Sequence, residues 1–202
     1  MRVCRVIVVL ILSMVLCSCA GKQQQASSPE QQEYAGVSRI EGVSIETVRN
    51  EPKVASGYEN IILNPIQMSS QFTTDYPDTA SQFLGSIISH LKDKKMYKHV
   101  AENDANGLHY NGKTLIADIR VIDMRIVSSG ARIWAGAMAG ASYMDVYLKL
   151  TDAASKKVIL EKVLATHNNA FASTWALGSE NALPVDMGKI VGEYLCTVVP
   201  TT

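Results

Sequence analysis

The sequence predicts an α/β domain of the α+β kind, a mixed and mostly antiparallel sheet with helices packed on one face. Three observations carry this. Residues 143–152, "YMDVYLKLTD", alternate with a period of two, placing Met144, Val146, Leu148 and Leu150 inward and Asp145, Tyr147, Lys149 and Thr151 outward. The turn "DAASKK" follows, and residues 158–167, "VILEKVLATH", return as the antiparallel partner. From Pro184, Met187, Ile190, Val191, Tyr194, Leu195 and Val198 recur at helical spacing and form one apolar stripe.

The remaining elements fit between these. Scattered valines, isoleucines and glycines over 36–54 allow one or two short strands. "ENIILNPIQ", 59–67, is an apolar run closed by a proline, the mark of a buried strand and its exit. Turn residues in "SSQFTTDYPDT" lead to a helix over 77–95, with Asp75 near its cap, Pro77 in its first turn and Ala80, Leu84, Ile87, Ile88 and Leu91 on its buried face. Lys92, Lys94 and Lys95 crowd its last turn, where cations suit the helix dipole better than they argue for an anionic partner. Asn111-Gly112 marks a turn. In "TLIADIRVIDMRIV", 114–127, the apolar phase passes from Leu115, Ala117, Ile119 and Val121 to Ile122, Met124 and Ile126, so a bulge or bend is expected at Val121-Ile122. Gly188, Gly192 and Cys196, four apart on one flank of the last helix, predict close approach of that helix to the sheet.

The first residues carry a different signal. Arg2 and Arg5 precede the apolar run "VIVVLILSMVL", which has the form of a secretory signal and falls short of the roughly 20 residues that span a bilayer. Leu16-Cys17-Ser18-Cys19 resembles the bacterial lipobox. The resemblance implies that residues 1–18 are removed, that Cys19 is acylated, and that Ala20, standing where an aspartate would retain the protein at the inner membrane, directs it to the outer one. Two or three acyl chains give a stable anchor where one alone does not. Cleavage after Ala20 into a soluble chain is the competing outcome. Residues 19–35, rich in Gln and Ser, then read as a disordered tether, and 36–202 as one periplasmic domain.

With Arg2 and Arg5 taken from 19 basic residues, 17 remain against 19 acidic ones, and no basic patch suited to nucleic acid stands out. Cys196 is left as a single thiol, expected to be buried; one thiol makes neither a disulfide framework nor a cysteine metal site. Neither G-x-S-x-G nor H-E-x-x-H occurs. His90, His99, His109 and His167 are scattered, and Asp118 and Asp123 read as ion-pair partners of Arg120 and Arg125. No catalytic residue, metal site or cofactor is therefore expected, and the chain reads as non-enzymatic.

Between the long strand and the hairpin lies "SSGARIWAGAMAGASYM", 128–144, with Gly136 and Gly140 in a G-x-x-x-G spacing and Trp134 beside them. Small residues allow close backbone packing, either within the domain or against a partner, and a tryptophan suits an interface that is half apolar and half wet. With the lipobox and "LTDAASKKVILEK", this segment resembles a family of bacterial outer-membrane lipoproteins that carry a domain of unknown function and a V-x-L-x-D-x-x-x-G-K-V-L hairpin, over about 58–199. Lys156 stands where that family has glycine. The expected function is an outer-membrane lipoprotein, anchored through its acyl chains, whose periplasmic domain binds an envelope protein or a second copy through Trp134, Gly136, Met138 and Gly140. A carrier of a small or lipid-like ligand is the alternative.

Overall fold

The computed structural model describes residues 33–103, 110–127, 141–166 and 182–201. These residues form one six-stranded sheet in the order β1-β6-β5-β4-β2-β3, with helices across one face. The strands are β1 (Arg39–Ile40), β2 (Asn60–Leu63), β3 (His99–Glu102), β4 (Thr114–Arg125), β5 (Tyr143–Asp152) and β6 (Val158–Ala165). The helices are α1 (Ile45–Arg49), α2 (Ser70–Asp75), α3 (Thr79–Lys94) and α4 (Ala182–Val198). The expected α/β class holds, and the longest ladders, β4 with β5 and β5 with β6, are antiparallel. β2 is parallel to both β3 and β4, and β1 is parallel to β6.

Alternation decides which face meets the helices. Leu115, Ala117, Ile119 and Val121 of β4 and Met144, Val146, Leu148 and Leu150 of β5 are buried in one core with Phe83, Ile87 and Leu91 of α3 and with Met187, Ile190, Val191, Tyr194, Leu195 and Val198 of α4. β2, flanked by two parallel neighbours, is buried along its whole length. The phase change in β4 is a bulge. Val121 pairs with Val146 and Asp123 with Asp145, so Ile122 is the extra residue, and it too is buried.

Several expectations are corrected. The 36–54 stretch holds one of the one or two short strands allowed there, β1, and adds a helix, α1, that was not expected. Ser44 Oγ accepts from Thr47 N at 3.1 Å and Thr47 Oγ1 accepts from Ser44 N at 2.7 Å, a capping box with threonine in the third position. "SQFTTD" is the helix α2 rather than a turn, started by Ser69, whose Oγ accepts from Phe72 N. α3 begins at Thr79 rather than at Pro77, with Asp78 at its cap, and Phe83 takes the central buried place while Ala80 and Ile88 are only partly covered. β3 is a strand that periodicity did not reveal, because four residues at a sheet edge bury little.

Asp145 keeps the outward phase yet has no exposed surface, and Arg39 donates to its carboxylate from β1. Asp118 and Arg120 do not pair with each other. Asn64 Nδ2 donates to Asp118 at 2.6 Å, and Arg120 reaches Gln67, Tyr34 and Glu33. Tyr34, placed by sequence at the end of the tether, packs on Tyr147 with ring centroids 4.5 Å apart.

Candidate functional site

Cys19, Trp134, Gly136, Met138 and Gly140 lie outside the described residues, as do His109 and His167. What is described is the stem from which the Gly/Ala stretch departs. β4 and β5 stay paired up to Arg125 and Tyr143, and beyond them Val127 N donates to Ser142 Oγ at 3.0 Å. β6 ends at the same place: Asp145 pairs with Ala165, Met144 N donates to Thr166 Oγ1 at 2.8 Å, and that hydroxyl donates back to Met144 O at 3.1 Å. The connections bearing Trp134 and Trp175, the two tryptophans of the chain, thus depart from one end of three adjacent strands.

A second constellation lies in the helical layer. Glu193 of α4 is 5 % exposed, and its carboxylate accepts from Arg49 Nε of α1 at 2.6 Å, and from His90 Nε2 and Lys94 Nζ of α3 at 2.8 Å each. Burial by itself would raise the carboxyl pKa; donors Lys94, Arg49 and His90 outweigh it and hold the pKa at about 2. An acceptor so weakly basic is no general base near neutral pH. The arrangement ties three helices together through one carboxylate.

Two features of the same cluster were expected differently. The Lys92, Lys94 and Lys95 group divides, since Lys94 is taken up by Glu193 and Lys95 caps α3 in the left-handed conformation with φ of 53°. Glycines 188 and 192 face α3 rather than the sheet, because their missing β-carbons make room for Ser86 and His90. Glu193 itself drew no notice in the sequence. Its only signal was a carboxylate inside the most apolar helix, which calls for a partner once that helix is known to be buried on several sides.

Beside this cluster a shallow groove of about 360 Å³ runs between α3 and α4, lined by Ser86, Ser89, His90, Asp93, Val185 and Lys189 among others. Three of its polar side chains are engaged in the fold: His90 by Glu193, Ser86, whose Oγ donates to Val185 O at 2.6 Å, and Lys189, whose Nζ donates to Asp186 at 3.0 Å. Cys196 is partly rather than fully covered, and burial, then nearby Glu193, pushes its thiol up to about 11, so it stays protonated. Among the described residues, no group of three His, Cys, Asp or Glu side chains is placed to hold a metal ion, and no helix is long and apolar enough to cross a membrane.

Comparison with solved structures finds likeness to the PelC dodecamer from Paraburkholderia phytofirmans, at 11 % identity over 74 % of this chain and 95 % of that one, with a TM-score of 0.48. A DUF330 protein from Xanthomonas campestris is similar at 11 % identity over 79 % of this chain and 96 % of that one, with a TM-score of 0.43. No curated protein matches. The family described as Domain of unknown function (DUF4410) matches residues 42–173, well over half of the chain, and the protein belongs to that family.

Proposed function

We propose that the chain is a non-catalytic outer-membrane lipoprotein, acylated at Cys19, whose periplasmic domain binds an envelope protein or a second copy through the segment that holds Trp134, Gly136, Met138 and Gly140. The observation that supports the contact is the stem: paired strands and the Val127–Ser142 hydrogen bond fix both ends of the segment at one point of the sheet. The lipobox resemblance of Leu16 to Cys19 supports the anchor. Acyl chains hold the domain at a membrane without a spanning helix.

Photo-crosslinking in cells from a reactive residue at position 134, with and without Cys19→Ala, tests both parts. A discrete crosslinked band that needs Cys19 is the expected result. A band that persists without Cys19 would remove the anchor from the reading, and no band in either background would remove the contact. Native mass spectrometry of the protein with a reproducible small-molecule adduct would favour a ligand carrier instead.

A further inference from the structure

β6 is the strand nearest one edge of the sheet, and its two halves are treated differently. Among the described residues no strand lies beside its outer edge along 158–162, since β1 pairs only with Val163 and Leu164. That half carries Glu161 and Lys162, follows Lys157, and contains an extra residue, Ile159, between the paired positions Leu160 and Val158. Charges and bulges are the common means by which an open edge avoids pairing with another chain. The other half, Val163, Leu164 and Ala165, has neither charge nor bulge. An uncharged strand edge of this kind is self-complementary, because two copies can pair antiparallel about a two-fold axis.

This half is covered by the chain's own residues 33–43. Val163 N donates to Ser38 O at 2.9 Å, Lys162 Nζ to Ser38 Oγ at 3.1 Å, and Val43 N to Ala165 O at 3.0 Å. Before β1 the chain turns, with Val37 N donating to Tyr34 O, and crosses to the outer face of the sheet. There the Tyr34 ring packs on Tyr147, Arg120 Nη1 donates to Tyr34 Oη at 3.0 Å, and the same nitrogen is 3.7 Å from Glu33. The family match starts at residue 42, just after this arm.

We infer that residues 33–40 are a strap, latched by Tyr34 on Tyr147 and Arg120, that keeps the Val163–Leu164 edge of β6 from pairing with the same edge of a second copy. The strap is held at its other end by Arg39 on the buried Asp145 carboxylate and by Ile40 against the core, whereas the Tyr34 end is at the surface, with the Glu33 and Arg120 side chains 62 % and 37 % exposed, and is the end that can be released first.

Amide hydrogen exchange and sedimentation of the full chain test this, comparing the native protein with Tyr34→Ala/Arg120→Gln and with Arg120→Gln alone, the milder variant. Opening the strap locally should speed exchange at Val163 by roughly tenfold or more while α4 amides keep their protection, and a concentration-dependent dimer should form. Arg120→Gln alone should give a smaller change in the same direction. Unchanged Val163 exchange in both variants would overturn the strap. So would equal loss of protection in α4, which would make the arm part of the global fold. Faster Val163 exchange in a strictly monomeric protein would overturn the guarding role.

Discussion

A β-carbon built on Gly188 of α4 would stand 2.5 Å from the Ser86 Cβ of α3 and 2.8 Å from the Phe83 carbonyl oxygen. The two helices therefore meet at a point where only glycine fits. Backbone cannot give way as a flexible side chain can, so Gly188→Ala should cost about 2–3 kcal/mol, in the upper part of the range for overpacked cores. For Gly192→Ala, the nearest atoms that a β-carbon would meet belong to the His90 side chain, at 2.9 to 3.1 Å. Its better helix propensity offsets part of the clash, leaving about 1 kcal/mol. Gly85, on the exposed side of α3, has nothing within 4 Å, and Gly85→Ala should stabilise by about 0.5–1 kcal/mol. Urea unfolding of the three variants checks the order; a harmless Gly188→Ala would mean that the helices can separate freely.

The Glu193 clamp predicts a pH dependence. Its folded pKa, about 2, is below the ordinary 4.5, so its stabilisation is fully present above about pH 4.5 and is lost as pH falls from there toward 2. Glu193→Gln should lower stability near pH 7 by about 2 kcal/mol, because it breaks a buried pair whose cationic partners Arg49 and Lys94 still reach water. The variant should also lose less stability than the native protein between pH 4.5 and 2. Denaturation midpoints across that window, native against variant, decide it; parallel curves would remove Glu193 as the titrating group.

Lys156 sits in the β5–β6 turn with φ of 59°, and Lys156 N donates to Asp152 O at 2.9 Å. A left-handed conformation costs a lysine about 1–2 kcal/mol, whereas glycine adopts it freely at the expense of chain entropy. Lys156→Gly should therefore raise stability by about 0.5–1 kcal/mol, read as a shift in thermal midpoint. In the same turn, Asp152 accepts from Ser155 N at 2.7 Å, Ser155 Oγ at 2.8 Å and Tyr58 Oη at 2.9 Å, which keeps its carboxyl at about 2. Since those donors fix the loop independently of Lys156, the glycine variant should keep the hairpin register, which hydrogen exchange in β5 and β6 would show.

Tyr97, buried just after α3, donates from its hydroxyl to Val199 O at 3.0 Å, with Leu195 O at 3.4 Å, at the C-terminal end of α4. The last carbonyls of a helix need such donors. Tyr97→Phe should cost about 1–1.5 kcal/mol, the usual worth of one buried hydrogen bond with an acceptor left behind. Amides at the end of α4 should then exchange faster than those at its start. Uniform change along the helix would instead indicate a packing effect.

Period alone determined much of this protein. Alternation in β4 and β5 located the core face, and the break in that alternation located the bulge at Ile122 to within a residue, because a one-residue slip would expose every apolar side chain. The α4 stripe was equally plain, since a helix buried on several sides leaves few polar positions. Short elements escaped notice: α1, α2 and β3 have too few residues to show a period, and side-chain caps or strand neighbours hold them.

Tertiary structure alone decided the partners. Glu193 lies 144 residues from Arg49 and 103 from His90, and Arg39 lies 106 from Asp145, separations over which no local pattern speaks. The small flank of α4 announced close packing, but only the fold assigned that packing to α3, since a glycine states that something approaches and not what. Sequence settles which residues must leave water; the fold settles which of them meet.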